Sequence, residues 1–400
     1  EMLEPKTECP DTPGCHCHAG KEMLPMAPAG AGETAEVACC GSVLGKRADP
    51  MERPGYALRS FVEAFVQTPA GPVPRVRTTL DRSDRMGVLA ARLGMGRNDY
   101  RVAPGLYCVG NPTADSPVLV TANYKLTFDA LRRALANTNA WILVVDTRGI
   151  NVWCAAGDAL FSSEEVSRRA ATSRLADVVN HRRLVLPQLA ATGVSVKAVK
   201  KGCGFSVVWG PVRVEDIEPF LAAGMNTEPA MRRVTFSLKE RLVLVPVEIT
   251  LLWKQLLLGL AAIFLISGIG SHVFSLSMAW SRGGMAIAAG LAGIVAGTVL
   301  TPALLPWIPS RPFAVKGLIL GVLAWAILAL LFQGKASGLE MTALLLFTIA
   351  VSSYLAVNFT GSTPFTSPSG VEKEMRIAIP LQAAATLLAV VAWVGAGFIG

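Results

Sequence analysis

The sequence predicts a two-part protein: an α/β domain with a mainly parallel sheet, followed by an all-α bundle of five transmembrane helices. Two observations lead there. The 400 residues are 52% hydrophobic and only 16% charged, with a mean hydropathy of +0.45, too apolar for a soluble globular chain of this length. The apolarity is also uneven, because nearly all long uncharged runs follow Leu251 whereas most charged residues precede it. Two regions in two solvents follow.

Residues 1–74 are rich in Pro, Gly, Ala and Met, show no sustained helical or strand period, and hold five of the eight cysteines. They are expected to form an irregular extension that folding can do without. Residues 75–236 then alternate between the two periods. Pro117-Val-Leu-Val-Thr121 reads as a buried strand, 126–136 as a helix, and Trp141-Ile-Leu-Val-Val-Asp146 as a second buried strand. Helix is predicted over 164–179, 194–201 and 214–223, and strand over 184–186 and 205–209. Strand and helix in alternation imply a parallel sheet with helices on both faces.

Ligands of such sheets sit beyond the carboxyl ends of the strands. The loops after Val120, Val145, Leu186 and Trp209 should therefore converge. Candidate contacts by position are Thr121 and Asn123, Asp146 and Thr147, Gln188, and Gly210 with Pro211. Each is equally a residue type that turns use.

Residues 237–250 read as a linker. The rest divides into five candidate spans, about 251–272, 284–305, 314–332, 339–359 and 377–399, each near the ~20 apolar residues a bilayer crossing needs. Trp253, Trp280, Trp307 and Tyr354 lie near the span ends, as interfacial aromatics do. Arg232, Arg233, Lys239, Arg241 and Lys254 crowd the entry to the first span. With the α/β domain inside, Arg282 and Lys335 fall in outer loops and Arg311, Lys316, Lys373 and Arg376 in inner ones. The expected topology is a multi-pass protein of the cytoplasmic (inner) membrane with its C-terminus outside. The polar stretch 361–374 is either a plain turn or a surface that meets the α/β domain or a partner.

The net charge of +8 comes without a basic run interleaved with aromatics, which argues against nucleic-acid binding. The N-terminal residues lack the basic start and apolar core of a secretory signal, so the α/β domain is expected in the cytoplasm, with its thiols reduced.

One segment carries chemistry. Asn151-Val-Trp-Cys-Ala-Ala-Gly157 follows a strand and an Arg148-Gly149 turn, and Asn151 is placed to cap a short helix. Cys154 there is either a small buried hydrophobe or a thiolate poised to ligate a metal at the ligand-binding edge. The small Ala155, Ala156 and Gly157 leave room for something bulky.

Together with Val145-Asp-Thr-Arg-Gly-Ile150, Pro117-Val-Leu-Val-Thr-Ala-Asn-Tyr-Lys125, Leu186-Pro-Gln188, Gly210-Pro-Val212 and Thr366-Ser-Pro-Ser-Gly-Val-Glu-Lys-Glu374, this segment resembles the membrane-bound corrinoid protein of bacterial and archaeal mercury methylation. The likeness runs over about 76–400. The soluble part also looks like the corrinoid domain of the corrinoid iron-sulfur protein of acetyl-CoA synthesis, which lacks the cysteine and the membrane tail.

The resemblance implies a Rossmann-like domain that binds a corrinoid (cobalamin), with Cys154 as lower axial ligand to cobalt and Asn151, Val152, Trp153, Ala155, Ala156 and Gly157 around it. It implies transfer of a cobalt-bound methyl group to Hg(II), a thiolate below the ring favouring departure of the methyl. The implied partners are a ferredoxin-like protein with two 4Fe-4S clusters as reductant and a methyltransferase that draws on methyltetrahydrofolate. In one place the chain departs from the pattern: Asp158 stands where the family has Lys.

Cys15-His-Cys-His18 and the adjacent Cys39 and Cys40 are further soft ligands, read either as a tail without function or as thiols that pass Hg(II) onward. His181 and His272 read as structural and interfacial residues. There is no ferredoxin cysteine run and no Gly-rich phosphate loop. Three functions stand side by side: a corrinoid methyltransferase acting on Hg(II), a membrane-bound corrinoid carrier in one-carbon metabolism with another acceptor, and a membrane protein without corrinoid. Few charges lie within the spans, which weighs against the ion path that the third would need.

Overall fold

The computed structural model describes residues 45–49, 51–57, 59–271, 273–363 and 366–399. The cysteines and histidines at positions 9–40 lie outside these, as does His272.

A seven-stranded mixed sheet organises the first part. Its strands are β1 (Val62–Thr68), β2 (Gly71–Val76), β3 (Gly105–Val109), β4 (Val118–Ala122), β5 (Ala140–Val145), β6 (Arg183–Leu186) and β7 (Ser206–Trp209), in the spatial order β1-β2-β3-β5-β4-β6-β7. The strands β5, β4, β6 and β7 run parallel, as the alternating pattern requires. On the other side β2 and β3 also run parallel, but β3 runs antiparallel to β5 and β1 antiparallel to β2, so the sheet is mixed with parallel pairings in the majority.

The irregular extension expected over 1–74 therefore ends earlier. Thr68-Pro69-Ala70-Gly71 is a tight turn, and Pro72 and Pro74 sit in an outlying hairpin rather than a central strand, where proline is tolerated. Val73 and Val76 are buried, so the hairpin joins the sheet and residues 62–74 lie within it rather than in an extension.

Helices cover both faces of this sheet: α1 (Arg82–Arg92), α2 (Lys125–Ala134), α3 (Val152–Gly157), α4 (Ser163–Thr172), α5 (Leu175–Val178), α6 (Val196–Cys203) and α7 (Ile217–Ala222). The helix expected over 164–179 breaks into α4 and α5 at Arg174, whose φ is +47°. Strand β5 alternates between two cores. Trp141, Leu143 and Val145 face Ala155, Phe161 and Val166, whereas Ile142 and Val144 face Phe128, Leu131 and Phe220. Buried on both faces, such a strand reads as a continuous apolar run.

A buried ionic group fastens α1 to α2. Arg132, fully buried, donates to Asp84 (2.6 Å) and Asp129 (2.7 Å), and Lys125 donates to the same two carboxylates at 2.7 and 2.6 Å. Asp84 also accepts from Asp81 N–H, closing a capping box at the start of α1. Burial alone would raise the Asp84 carboxyl, but the hydrogen bonds from Lys125 and Arg132 outweigh it and hold it below the ordinary range.

The second part is helical: α8 (Leu238–Leu242), α9 (Val245–Leu251), α10 (Trp253–Ser267), α11 (Leu276–Ile294), α12 (Thr301–Leu304), α13 (Phe313–Leu331), α14 (Gly338–Asn358) and α15 (Pro368–Ile399). Among the described residues four helical runs are long and apolar enough to cross a membrane: Leu276–Leu304, Phe313–Leu331, Gly338–Asn358 and Ser369–Ile399. A fifth is obtained if Leu238–Thr250 and Trp253–Ser267, bent by 60°, count as one. The linker expected over 237–250 is thus helical, and half of the stretch 361–374 is the start of α15. A π-turn over Val295–Leu300 joins α11 to α12. Pro302 has no N–H to give the preceding turn, and Ala296 O accepts both the Thr301 N–H and the Thr301 hydroxyl (2.8 Å).

Two cations leave the loops assigned to them. Arg282 lies inside α11, buried, pairing with Glu340 at 2.7 Å and donating to the carbonyl of Trp393. Lys316 lies in the first turn of α13, buried, donating to Leu305 O and Ile308 O. Both neutralise groups that apolar surroundings would leave unsatisfied. The helices also pack without side chains between them: a Cβ on Gly297 or on Gly317 would stand 2.6 Å from the Ser352 carbonyl oxygen.

The folded state binds the Asp84 proton less tightly than the unfolded chain does. Ionised Asp84 therefore stabilises the domain above the ordinary carboxylate value of about 4, and this contribution is lost as pH falls through its lower folded value. Asp84→Asn should cost about 3 kcal/mol at neutral pH and flatten the acid limb, read from urea unfolding midpoints between pH 3 and 7. An unchanged acid limb would show that the network is not what acid dissolves.

Candidate functional site

The carboxyl edge of the parallel strands is shaped by one asparagine. Asn123, fully buried past the end of β4, accepts through Oδ1 from Thr147 N (3.1 Å), Thr147 Oγ1 (2.9 Å) and Gly149 N (3.0 Å), and donates through Nδ2 to Asp146 Oδ1 (3.0 Å). The end of β4 is thereby tied to the turn after β5.

That turn is of the I′ kind, with Arg148 at φ +53° and Gly149 at φ +80° and Ile150 N donating to Thr147 O. A side chain at 149 would meet the Asn98 carbonyl at 2.8 Å. The other oxygen of Asp146 accepts from Ala48 N (2.9 Å). Asn123, Asp146 and Thr147, proposed from position as ligand contacts, are thus occupied in building the turn.

The turn delivers Asn151, which caps α3 as its spacing predicts: its Oδ1 accepts from Cys154 N at 2.9 Å. Val152, Ala155 and Ala156 are buried against β4 and β5, which fixes the helix. Cys154 is half-buried and packs on the edge of that core. Beyond Gly157 the space is open, since a Cβ there would meet nothing within 4 Å. Asp158 is the C-cap of α3, four residues past Cys154, and its N–H donates to Cys154 O at 3.0 Å. Its carboxylate therefore stands at the negative end of the helix rather than in a first turn.

The strand order reverses between β4 and β6, where ligands of doubly wound sheets bind. The two strands share one paired position, Leu119 with Val185, and their carboxyl ends part beyond it. A cavity of about 300 Å³ opens there. Of the residues proposed from sequence, Thr121, Asn151, Val152, Trp153, Gly210 and Pro211 form its walls. Trp153 is 43% exposed, an aromatic face at the rim. Gln188 begins the short turn Gln188–Ala190 that packs on α3, and its buried Oε1 has no hydrogen-bond partner among the described residues.

Thr127, Pro187, Leu189 and Arg213 also line the cavity. Sequence reasoning missed them. Pro187 and Leu189 flank the Gln188 that position singled out, whereas Thr127 comes from α2 and carries no local signal.

Comparison with known proteins bears on this domain. The family model of the CO dehydrogenase/acetyl-CoA synthase delta subunit matches residues 78–219, a stretch that runs from just before α1 into α7 and includes every cavity wall. Subunit gamma of the acetyl-CoA decarbonylase/synthase complex of Methanopyrus kandleri is 36% identical over 128 residues, 31% of this chain and 27% of that one. The same subunit of Methanocaldococcus jannaschii is 37% identical over 98 residues (24% and 20%), and that of Archaeoglobus fulgidus 31% over 118 (29% and 25%). The chain thus spans about a quarter of the length of the curated relatives it matches.

Asn151→Ala removes the cap of a six-residue helix and should cost about 1 kcal/mol, with faster amide exchange at residues 153–155. Asn151→Asp, which keeps an acceptor, should restore most of it. Equal loss in both variants would show that the cap does not hold α3. The α/β domain is related in sequence to subunits of acetyl-CoA decarbonylase/synthase, and the related stretch carries the cavity at the carboxyl edge of β4 and β6.

Proposed function

We propose that this chain is a membrane-anchored corrinoid methyl carrier of one-carbon metabolism. The observation that carries the reading is the cavity where β4 and β6 part, walled by Asn151, Val152 and Trp153, within the stretch related to the acetyl-CoA decarbonylase/synthase subunits.

The residues at this edge fit a corrinoid. The cavity has room for part of a large ligand, the rim offers an indole face, the end of α3 is open, and Gln188, between the wall residues Pro187 and Leu189, keeps a buried Oε1 without a partner among the described residues. The Cys154 thiol would be the residue to hold a metal whose other ligands come from a macrocycle. A bound corrinoid supplies a cobalt that takes up and gives away a methyl group. The chain's own part is to position and to exclude. Asn151 fixes the helix that carries Cys154, Val152, Ala155 and Ala156 wedge it against the sheet, and Trp153 covers the mouth. Thr121, Gly210 and Pro211 shape the floor, and the Asn123, Asp146 and Thr147 network keeps the turn from yielding.

A second reading concerns the acceptor. This reading takes Hg(II) as the acceptor, giving methylmercury, and Cys154 would be the residue that holds the cobalt. Under either acceptor the partners are a ferredoxin-like protein with two 4Fe-4S clusters and a methyltetrahydrofolate-linked methyltransferase. We read the protein as one of the cytoplasmic membrane, a reading that its long apolar helices support, and exposed Lys239, Lys254, Arg311 and Lys373 stand toward the end of the bundle where α10, α13 and α15 begin, which is the inner end if the α/β domain is cytoplasmic. Cys39 and Cys40 enter only the mercury reading, as thiols that hand on Hg(II).

The test is the visible spectrum of the purified full chain reconstituted with cobalamin. A colourless protein overturns the corrinoid reading. Cys154→Ala should keep stability within about 1 kcal/mol, shift the cobalt spectrum and slow methyl transfer by at least about tenfold. With Hg(II) offered to the methyl-loaded protein, formation of methylmercury lost in Cys154→Ala supports the mercury reading. A bound corrinoid that transfers no methyl to Hg(II) leaves the one-carbon carrier.

A further inference from the structure

The join between the two parts carries a feature that an anchor alone does not need. Helices α8 and α9 do not continue the axis of α10 but turn from it by 60°, and they are not loose. Arg241 is buried at 4% exposure and donates to Pro302 O and Ala303 O, both at 2.9 Å, with its guanidinium over the Trp307 ring. This one side chain pins α8 against the end of α12. Glu240 closes a capping box on Ser237 and sets where the helix starts.

Pinned in this way, the segment presents apolar and basic groups together. Val234, Leu238, Leu242 and Val243 are exposed, and so are Arg233 and Lys239. Lys254, Arg311 and Lys373 stand exposed at the same end of the helical part, near the starts of α10, α13 and α15, the last two of which are joined by Ala314 N donating to Glu374 Oε1 at 2.6 Å. None of these five cations has a carboxylate partner among the described residues. The acidic groups nearby are engaged, Glu240 in its box, Glu372 with Arg376 and Glu374 on Ala314, and Glu248 is not free. At the opposite end the exposed cation is Lys335, while Arg282 is buried and paired with Glu340.

We propose that residues 232–251 form an interfacial element that lies on an anionic lipid leaflet, its leucines and valines at the level of the acyl chains and Arg233 and Lys239 on the headgroup phosphates. The occupant follows from charge complementarity and from continuity with the apolar belt of α10. An apolar row beside unpaired cations is the pattern of helices that bind in the plane of a negative surface. The inference rests on the membrane reading above and goes beyond it, since a span requires no contact with lipid charge.

The test places the full chain in nanodiscs of phosphatidylcholine, with and without phosphatidylglycerol, and follows amide hydrogen exchange. Residues 238–251 should exchange about fivefold more slowly with the anionic lipid, the difference should vanish at high salt, and the turn 332–337 at the other end should not respond. Arg233→Glu with Lys239→Glu should abolish the difference while exchange in β4 and β5 stays as in the parent. Equal protection of 238–251 in both lipids overturns this inference and leaves the membrane reading standing. A chain that enters neither kind of nanodisc overturns both.

Discussion

One side-chain amide ties together what the carboxyl edge needs. Asn123 spends its oxygen on three donors of the turn after β5 and its nitrogen on Asp146. Without that oxygen, two backbone N–H groups would be buried without partners, at roughly 1–3 kcal/mol each, while the Thr147 hydroxyl would keep Ile150 O at 2.7 Å. Its location explains its leverage. It bridges the ends of adjacent parallel strands, so the turn that launches α3 is referenced to β4 as well as to β5. The positive φ of Arg148 is held in part by its own N–H on Asp146 Oδ1 at 3.0 Å. A ligand-binding edge made of loops thus acquires the stiffness of the sheet behind it.

The two parts solve the same problem, charge out of water, by different means. In the α/β domain Asp84, Lys125, Asp129 and Arg132 neutralise one another, and the carboxylate of Asp84 serves two helices at once. In the helical part Arg241 and Lys316 are answered by carbonyl oxygens at the end of a helix, where unsatisfied acceptors and the negative end of the dipole coincide. Arg282 needs Glu340 as well, because it reaches into the bundle between α11, α14 and α15. Pairing of this kind fixes geometry more than it adds stability.

How far the sequence could be read depended on how local the cause was. Strands β4 and β5 announce themselves as unbroken apolar runs, and Asn151 as a cap lies three residues from the amide it satisfies. The hairpin of β1 and β2 is hidden by Gly71, Pro72 and Pro74, which read as loop and are admitted only because β2 makes a single paired contact with β3, Arg75 with Cys108. Arg282 looks like a loop residue until Glu340, 58 positions away, is placed beside it. At the carboxyl edge the strand ends proposed from position do border one cavity, but the division of labour among their residues was not legible. Thr121 and Gly210 face the cavity while Asn123 and Asp146 face each other, a distinction set by which way each residue leaves its strand.

The missing side chains at Gly297 and Gly317 have a consequence of their own. Both backbones press on the same oxygen, that of Ser352, and the Ser352 hydroxyl returns a hydrogen bond to Gly317 O at 2.7 Å. Close approach of the two backbones to one carbonyl is what fastens the seam, and the omission of side-chain atoms is what permits it. The smallest enlargement available to a protein, one methyl group, already exceeds the room there. At these two positions the seam is therefore closed to every residue but glycine.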